Sequence, residues 1–163
     1  TGGSVVVNGQ NVGAMRPGAI PFLRRNLGLV FQDHKLLFDR TVFDNVLLPL
    51  AIGGFETKEA GRRVRAALDK VGLLGRERAY PVTLSGGEQQ RLCIARAVVS
   101  RPSILIADET TGNLDAAYAA EILEIFKAFH QVGVTVLIAT HDEAMLERMK
   151  PRIIRLAHGA LMP

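Results

Sequence analysis

The feature that most constrains the fold is a set of four short, predominantly apolar segments. They occupy residues 27–31, 104–107, 134–139 and 153–156. A continuous apolar run of this length is typical of a strand buried on both faces, whereas a half-exposed strand would alternate apolar and polar residues. Helical segments separate the runs. The pattern therefore predicts an α/β fold whose sheet is mostly parallel and is covered by helices on both faces.

The segment between Gln32 and Leu84 has the apolar spacing of helices. Thr41 is placed to cap a first helix, which we expect to end at Leu48 because Pro49 follows. A second helix has one apolar face at steps of three and four residues, formed by Ala60, Val64, Ala67, Leu68 and Val71. These patterns predict a helical insertion within one sheet.

Three further elements complete the predicted order. A short strand over residues 4–8 should turn at Asn8-Gly9, because the Asn-Gly pair favours a tight hairpin. Helices are expected over residues 86–100 and 115–131, the second ending before Gly133.

The composition fits a single globular domain. The chain has 163 residues, of which 48% are hydrophobic and 22% are charged, and this is enough for a proper core. We predict one domain over residues 1–163, with the sheet core at about 1–32 and 101–163 and a helical subdomain at about 33–100. The longest apolar stretch, residues 46–55, is shorter than the roughly 20 residues that span a bilayer.

The formal net charge is +4, and basic residues cluster at Arg24-Arg25 and at Arg62, Arg63 and Arg65. Such a bias could favour nucleic acid or an anionic membrane surface. Because the arginines alternate with acids and alanines along helical patterns, we interpret them as solvated helix faces and expect no nucleic-acid partner. The single cysteine, Cys93, fits a reducing compartment.

Polar residues follow three of the predicted strands. Asp108 and Glu109 come directly after residues 104–107, at the carboxyl end of a strand, where open α/β sheets bind ligands. Asp108 is suited to hold Mg²⁺ and Glu109 to polarise an attacking water. Gln32 and His141 follow two other strands and could contact the metal, the water or a γ-phosphate. Taken singly, adjacent acids also form ordinary turns, and a lone glutamine or histidine is usually structural.

Ser85, Gly86 and Gly87 open a predicted helix. The backbone N–H groups and the positive end of the helix dipole attract an anion there, and the glycines permit its close approach. The same residues would also serve as an ordinary helix cap with Ser85 as the capping residue. Both interpretations can hold at once.

The ordered combination of these motifs resembles that of ATP-binding cassette (ABC) ATPases over essentially the whole chain. The corresponding motifs are the Q-loop at Gln32, the signature LSGGEQQR at residues 84–91, the Walker B motif at residues 104–109, the D-loop at residues 113–115 and the H-loop at His141. The resemblance implies a P-loop NTPase-type fold that binds and hydrolyses ATP with Mg²⁺. Within the family's chemistry, Glu109 would orient and deprotonate water, His141 and Gln32 would steady the γ-phosphate and the metal, and Asp108 would bind the metal.

The resemblance also implies two partners. A second copy would pack head to tail, so that Ser85, Gly86 and Gly87 contact the nucleotide of the partner and Asp115 contacts the facing subunit. An integral membrane subunit would dock near the Q-loop, on residues 33–49. The protein would then be peripheral, at the cytoplasmic face of the bacterial inner membrane.

Alternatives lie both within and outside this branch of the family. The motifs look most like those of a branch that acts in bacterial cell division, but branches for lipoprotein release and macrolide export share residues 111–115. A non-hydrolysing coupling module would keep the same fold for partner binding. A coiled-coil DNA-repair ATPase shares several motifs, but it carries long heptad arms, and no sustained heptads lie between Gln32 and Leu84.

The sequence departs from the family pattern in two respects. The phosphate-binding loop G-x-x-x-x-G-K-[ST] is absent from it. We expect this loop, and the aromatic residue that stacks on adenine, upstream of Thr1, so that the chain is an incomplete domain and is inactive alone. Thr110 stands where the family usually has proline, and we expect the loss of a fixed φ to be tolerated.

Overall fold

The computed structural model describes residues 3–110, 116–143, 146–147 and 151–162. Within these ranges the chain forms a three-stranded parallel sheet, two short hairpins and a set of α-helices joined by 3-10 turns. The predicted D-loop at residues 113–115, including Asp115, lies outside the described residues.

The N-terminal hairpin forms where the Asn-Gly pair predicts it. Strand β1 (Val6–Val7) pairs antiparallel with β2 (Gln10–Asn11). Between them Asn8 has φ 49° and Gly9 has φ 76°, and a two-residue hairpin turn of this kind needs positive φ at both positions. The predicted hairpin is therefore confirmed.

The central sheet uses three of the four apolar runs. Strands β3 (Leu27–Val30), β4 (Ile104–Asp108) and β5 (Thr135–Ala139) are hydrogen-bonded in that order, and all three are parallel. Val30 lies opposite Ala107, which lies opposite Ile138. The carboxyl ends of all three strands therefore reach the same edge of the sheet.

The prediction of a fourth sheet strand over residues 153–156 is wrong. The chain forms a separate antiparallel hairpin there, from β6 (Leu156–Ala157) and β7 (Ala160–Leu161). The turn residues His158 and Gly159 have φ 49° and 78°. Tight turn geometry fixes the pairing partner locally, and the isoleucines that precede β6 are exposed rather than buried.

The helices cover most of the predicted segments, but one of them continues five residues beyond its predicted end. They are α1 (Ile20–Arg25), α2 (Val42–Gly53), α3 (Thr57–Lys70), α4 (Gly86–Val98) and α5 (Ala116–Gln131). The prediction that the helix capped by Thr41 stops at Leu48 is wrong, because α2 continues through Pro49 to Gly53 and is capped by Gly54, which has φ 76°. Val46 and Leu50, both fully buried, anchor the helix on either side of the proline. This packing outweighs the backbone hydrogen bond that proline cannot make.

The sheet is covered by helices on one face only among the described residues, which corrects the expectation of two covered faces. On the covered face Leu105 and Ala107 are fully buried. On the other face Leu29 is 43% exposed and Leu137 is 54% exposed, and both flank Ile106 in the register. The apolar runs therefore predict the positions of these strands correctly, but they do not predict that the second face of the sheet is exposed to solvent.

Helix α4 packs very closely on β3 at Gly28. A Cβ atom at this position would lie 2.6 Å from the carbonyl oxygen of Ala97 and 3.0 Å from the ring of Pro102. Only glycine permits this approach. The contact ties the carboxyl-terminal half of α4 to the sheet, while the amino terminus of the same helix begins at Gly86.

Asn45 holds the loop that joins the sheet to α2. Its side chain is fully buried, and its Oδ1 accepts a hydrogen bond from the amide of Leu37 at 2.9 Å. Its Nδ2 donates to the carbonyl oxygens of Leu37 and Thr41, each at 2.9 Å. One side chain thus satisfies backbone groups that would otherwise be buried without partners.

We expect Asn45→Ala to lower the free energy of unfolding by about 2 kcal/mol, because it leaves buried backbone groups unpaired. The Thr41→Ala substitution, which removes the cap that accepts from the Asp44 amide at 3.1 Å, should cost about 1 kcal/mol. Urea unfolding followed by circular dichroism measures both. An Asn45→Ala protein as stable as the unsubstituted chain would contradict this account.

Candidate active site

The parallel register brings several predicted site residues to one edge of the sheet. Asp108 is the last residue of β4 and lies opposite Ala139, the last residue of β5. The amide of Glu109 donates to the carbonyl oxygen of Ala139 at 2.9 Å, so the sheet pairing continues one residue beyond β4. His141 follows β5, and Gln32 follows β3 at the same edge.

Glu109 and His141 are in direct contact. The Nδ1 atom of His141 lies 2.8 Å from Oε1 of Glu109. The histidine side chain is 83% exposed, whereas the glutamate side chain is 24% exposed. The second oxygen of Glu109, Oε2, is buried and has no hydrogen-bond partner. A buried carboxylate oxygen without a partner is costly in a folded protein, and it is a group that a bound water or ligand would satisfy.

The backbone at Glu109 is strained. This residue has φ 47°, in the left-handed region that non-glycine residues seldom adopt outside functional sites. Thr110 beside it is 4% exposed, and its hydroxyl has no hydrogen-bond partner. Strain and unsatisfied polar atoms therefore concentrate at one point, directly after β4.

The contact between Glu109 and His141 raises the pKa of His141 above its usual value of 6.5. The hydrogen bond from the ring to the carboxylate is the main cause, and the negative charge of Glu109 adds to it. The protonated imidazole is therefore favoured in the folded protein. The contact between Glu109 and protonated His141 therefore stabilises the folded state fully below about pH 6.5. This stabilisation is lost as the pH rises through the higher pKa that His141 has in the folded state.

Ser85 caps α4 through a reciprocal pair of hydrogen bonds. Its Oγ accepts from the amide of Glu88 at 3.2 Å, and its own amide donates to Oε2 of Glu88 at 2.9 Å. The alternative interpretation as a helix cap is thus correct for Ser85. The amides of Gly86 and Gly87 belong to the first turn, where no partner exists within the helix.

The two glycines differ in their surroundings. Gly86 is exposed, with open space where a side chain would stand. Gly87 is buried, and a Cβ atom there would lie 2.9 Å from the ring of Tyr118 on α5. Gly86 therefore leaves its amide open to an anion, while Gly87 is needed for packing between two helices.

The described residues do not join the two parts of the predicted site. No hydrogen bond or ion pair among them links Ser85, Gly86 or Gly87 to Glu109 or His141. The sheet edge and the start of α4 are thus separate clusters within one chain.

Contacts of Arg91 with Glu121 and Tyr118 of α5 were not predicted from the sequence. Arg91 lies 2.8 Å from Oε2 of Glu121, and its guanidinium stands 5.9 Å from the ring centroid of Tyr118. These residues fix α5 against the helix that starts at Gly86. No local signal in the sequence marks such contacts between helices.

Across the described part of the chain, no group of three or more His, Cys, Asp or Glu side chains could hold a metal ion by itself. Asp108 is exposed at the sheet edge. This arrangement suits Mg²⁺, which usually takes one or two carboxylates and completes its shell with water and phosphate oxygens. In the same described residues, no helix is both long and apolar enough to cross a membrane.

Comparison with known proteins identifies the family. Residues 1–112 match a family model described as ABC transporter. The chain belongs to the ABC transporter family. This confirms the family that the motifs predicted, and the fold is that of an ABC ATPase.

The most similar relatives include bacterial cell-division proteins. The ABC chain is 52% identical over 159 residues to the cell division ATP-binding protein FtsE of Escherichia coli (strain K12), a match that covers 98% of this chain and 72% of that protein. It is 43% identical over 162 residues to the FtsE of Mycobacterium tuberculosis (strain ATCC 25618 / H37Rv), covering 99% of this chain and 70% of that protein.

Two solved structures show the same ABC fold. The dimeric structure of MJ0796, a bacterial ABC transporter cassette, superposes with a TM-score of 0.79 at 32% identity and covers 90% of this chain. A dimeric post-hydrolysis state of the same cassette, bound to ADP and Pi, superposes with a TM-score of 0.78. The ABC chain spans 66% and 65% of the length of these two solved chains.

We expect the NMR titration of His141 to have a midpoint above 6.5, because Glu109 stabilises its protonated form. Glu109→Gln removes the charge and should shift that midpoint towards lower pH. The resonances of His158, in the C-terminal hairpin, serve as the control and should superimpose in the two proteins. An unchanged His141 midpoint in Glu109→Gln would show that the contact is absent in solution.

Proposed function

We propose that this chain is the ATP-binding and ATP-hydrolysing subunit of an ABC-type membrane complex that acts in bacterial cell division. The observation that carries the proposal is the contact between Glu109 and His141 at the carboxyl edge of the sheet. The relatives named cell division ATP-binding protein FtsE support the biological setting.

Four side chains would share the chemistry. Glu109 would orient the attacking water and accept its proton, and its unpartnered Oε2 is the atom available for that hydrogen bond. His141 is held through Nδ1 by Glu109, and its other ring nitrogen would donate to a γ-phosphate oxygen. Asp108 would bind Mg²⁺ with Gln32 beside it. When bound, MgATP supplies the transferable phosphoryl group and the cation that neutralises its charge.

The signature residues would act across a dimer. No hydrogen bond or ion pair among the described residues links Ser85, Gly86 or Gly87 to Glu109 or His141. The open amide of Gly86 could therefore serve a nucleotide held by a second copy. The relative of known structure is described as dimeric, and one of its forms holds ADP and Pi, which supports a dimer here. Head-to-tail packing would place each α4 amino terminus against the partner's phosphates, and Asp115 would contact the facing subunit.

The second proposed partner is an integral membrane subunit of the FtsX type. A groove of about 750 Å³ lies between α1, β3, α2 and the end of α4, next to the Gln32 segment. Exposed apolar residues line it, among them Phe31 at 42% and Ile52 at 66%. Arg24, Arg25 and Lys35 add positive charge to its lining. An apolar segment flanked by acidic residues, on the cytoplasmic side of the membrane subunit, fits this lining.

The predicted docking range of residues 33–49 overlaps this groove at Lys35, Leu48 and Pro49. The groove also takes in α1, which the predicted range omits. We therefore propose a docking surface that is centred on α1 and the end of α2.

The remaining parts of the proposal concern location and domain division. Binding to such a subunit would place the protein at the cytoplasmic face of the inner membrane, as a peripheral subunit. The sheet core would comprise about residues 1–32 and 101–163, and the helical subdomain about residues 33–100. The basic residues of α3 pair with acids, as Arg63 does with Glu59 at 2.8 Å, which supports a solvated helix face rather than a nucleic-acid surface.

We expect Glu109→Gln to lower the ATP turnover of the full-length protein by about a hundredfold or more while ATP still binds, because a general base contributes about that much. The matched control is Glu124→Gln, an exposed α5 residue that pairs with Lys127 at 2.6 Å, and it should leave turnover unchanged. Release of inorganic phosphate and equilibrium dialysis of ATP measure the two properties.

The assay needs protein isolated from its source. Intact mass and N-terminal sequencing establish whether a G-x-x-x-x-G-K-[ST] loop precedes these residues in that protein. ATP turnover that survives Glu109→Gln would contradict the proposed base. A protein that carries the loop and yet hydrolyses no ATP, with or without its membrane subunit, would contradict the proposed function.

We expect Ile52→Asp to weaken recruitment of the membrane subunit by about tenfold or more, because it places a charge on the apolar part of the groove. Arg24→Glu should slow association by reversing a charge at the rim. Arg78→Glu, which is exposed and outside the groove, is the control. Co-purification and surface binding kinetics from detergent measure these effects, and full recruitment by Ile52→Asp would exclude this groove as the docking surface.

A further inference from the structure

Two successive non-glycine residues after the Q-loop adopt the left-handed conformation. His34 has φ 60° and Lys35 has φ 48°. Non-glycine residues visit this region singly rather than in runs, because Cβ crowds the following carbonyl. Such a pair persists only when the surrounding structure holds it.

Local hydrogen bonds join the amides of His34 and Lys35 to the carbonyl oxygens of Phe31 and Asp33. The carbonyl oxygens of the pair are held by α4, which lies about 60 residues further along the chain. Nη2 of Arg96 donates to the carbonyl oxygen of His34 at 2.6 Å, and Nη1 donates to that of Lys35 at 2.7 Å. Sγ of Cys93, one turn earlier, donates to the same His34 oxygen at 3.1 Å. The planar guanidinium suits two adjacent carbonyls, since its N–H groups have a fixed fork geometry.

Arg96 has no carboxylate partner among the described residues that could explain its position otherwise. Its guanidinium donates instead to the carbonyl oxygens of His34 and Lys35. Burial lowers the pKa of its guanidinium, yet arginine stays protonated in proteins. A partly buried cation that is compensated only by carbonyl oxygens is committed to that loop conformation.

We propose that Arg96 is a positioning residue that locks the backbone after Gln32 in its left-handed form and thereby ties the orientation of Gln32 to α4. The helix that carries Arg96 begins at the signature glycines. A shift of α4 relative to the sheet therefore moves the loop on which Gln32 depends. The structural part of this inference stands alone, and its consequence for ATP hydrolysis rests on the proposed function.

The first test measures the loop directly. In the full chain, Arg96→Gln should raise the amide hydrogen-exchange rates of residues 34–37 by about tenfold or more, because two charge-assisted hydrogen bonds are lost. Amides within α3 should exchange as before. Arg96→Lys, which keeps the charge but cannot reach both carbonyls in a fixed fork, should give an intermediate rate. Arg78→Gln is the control for removal of an exposed arginine.

The second test is a rescue that a merely structural role would not give. Glycine adopts the left-handed region freely, so His34→Gly with Lys35→Gly should restore most of the ATP turnover lost in Arg96→Gln. If Arg96 served only general packing, the glycines would add a further loss. Should Arg96→Gln fail to fold, Arg96→Lys takes its place in the same comparison.

The outcomes separate this inference from the proposed function. Faster amide exchange at residues 34–37 in Arg96→Gln would support the positioning role of Arg96, even if the unsubstituted protein hydrolyses no ATP. Absence of ATP hydrolysis would contradict the ATPase proposal alone. Normal exchange in Arg96→Gln, in a protein that does hydrolyse ATP, would overturn the role of Arg96. Glycine substitutions that deepen the loss of turnover would overturn it as well.

Discussion

The constraint on which the site depends is the parallel register of β3, β4 and β5. Because Val30, Ala107 and Ile138 lie side by side, the residues that follow each strand leave the sheet at one edge. Parallel strands need long crossovers, and here those crossovers contain helices that pack on the sheet. The chemistry of the edge therefore comes from residues that are distant in sequence and have no local tendency to meet.

Local strain is concentrated at the loops that follow these strands. Glu109 after β4 and the His34-Lys35 pair after β3 all have positive φ. Each loop is hydrogen-bonded to another segment of the chain, to the Ala139 carbonyl in the first case and to Arg96 in the second. Strained backbone that is fixed by distant partners is typical of functional positions.

Sequence patterns could predict the three sheet strands, the N-terminal hairpin and the polar residues at the sheet edge, because each rests on local periodicity or on a motif. They misjudged Pro49, since core packing by Val46 and Leu50 overrides a local helix breaker. They also missed Asn45 and Arg96. Nothing local distinguishes a side chain that bonds to backbone carbonyls of another segment, so such residues become visible only when tertiary contacts are known.

The reciprocal cap at Ser85 has a consequence for how an anion would meet α4. The carboxylate of Glu88 already lies at the positive end of this helix, where it accepts from the Ser85 amide, and Arg76 stands 3.7 Å from its other oxygen. The helix end thus carries an internal counterion. A phosphate that approached the open amide of Gly86 would meet a charge of its own sign, which Arg76 partly offsets. Its binding strength would therefore depend on how closely Glu88 and Arg76 stay paired.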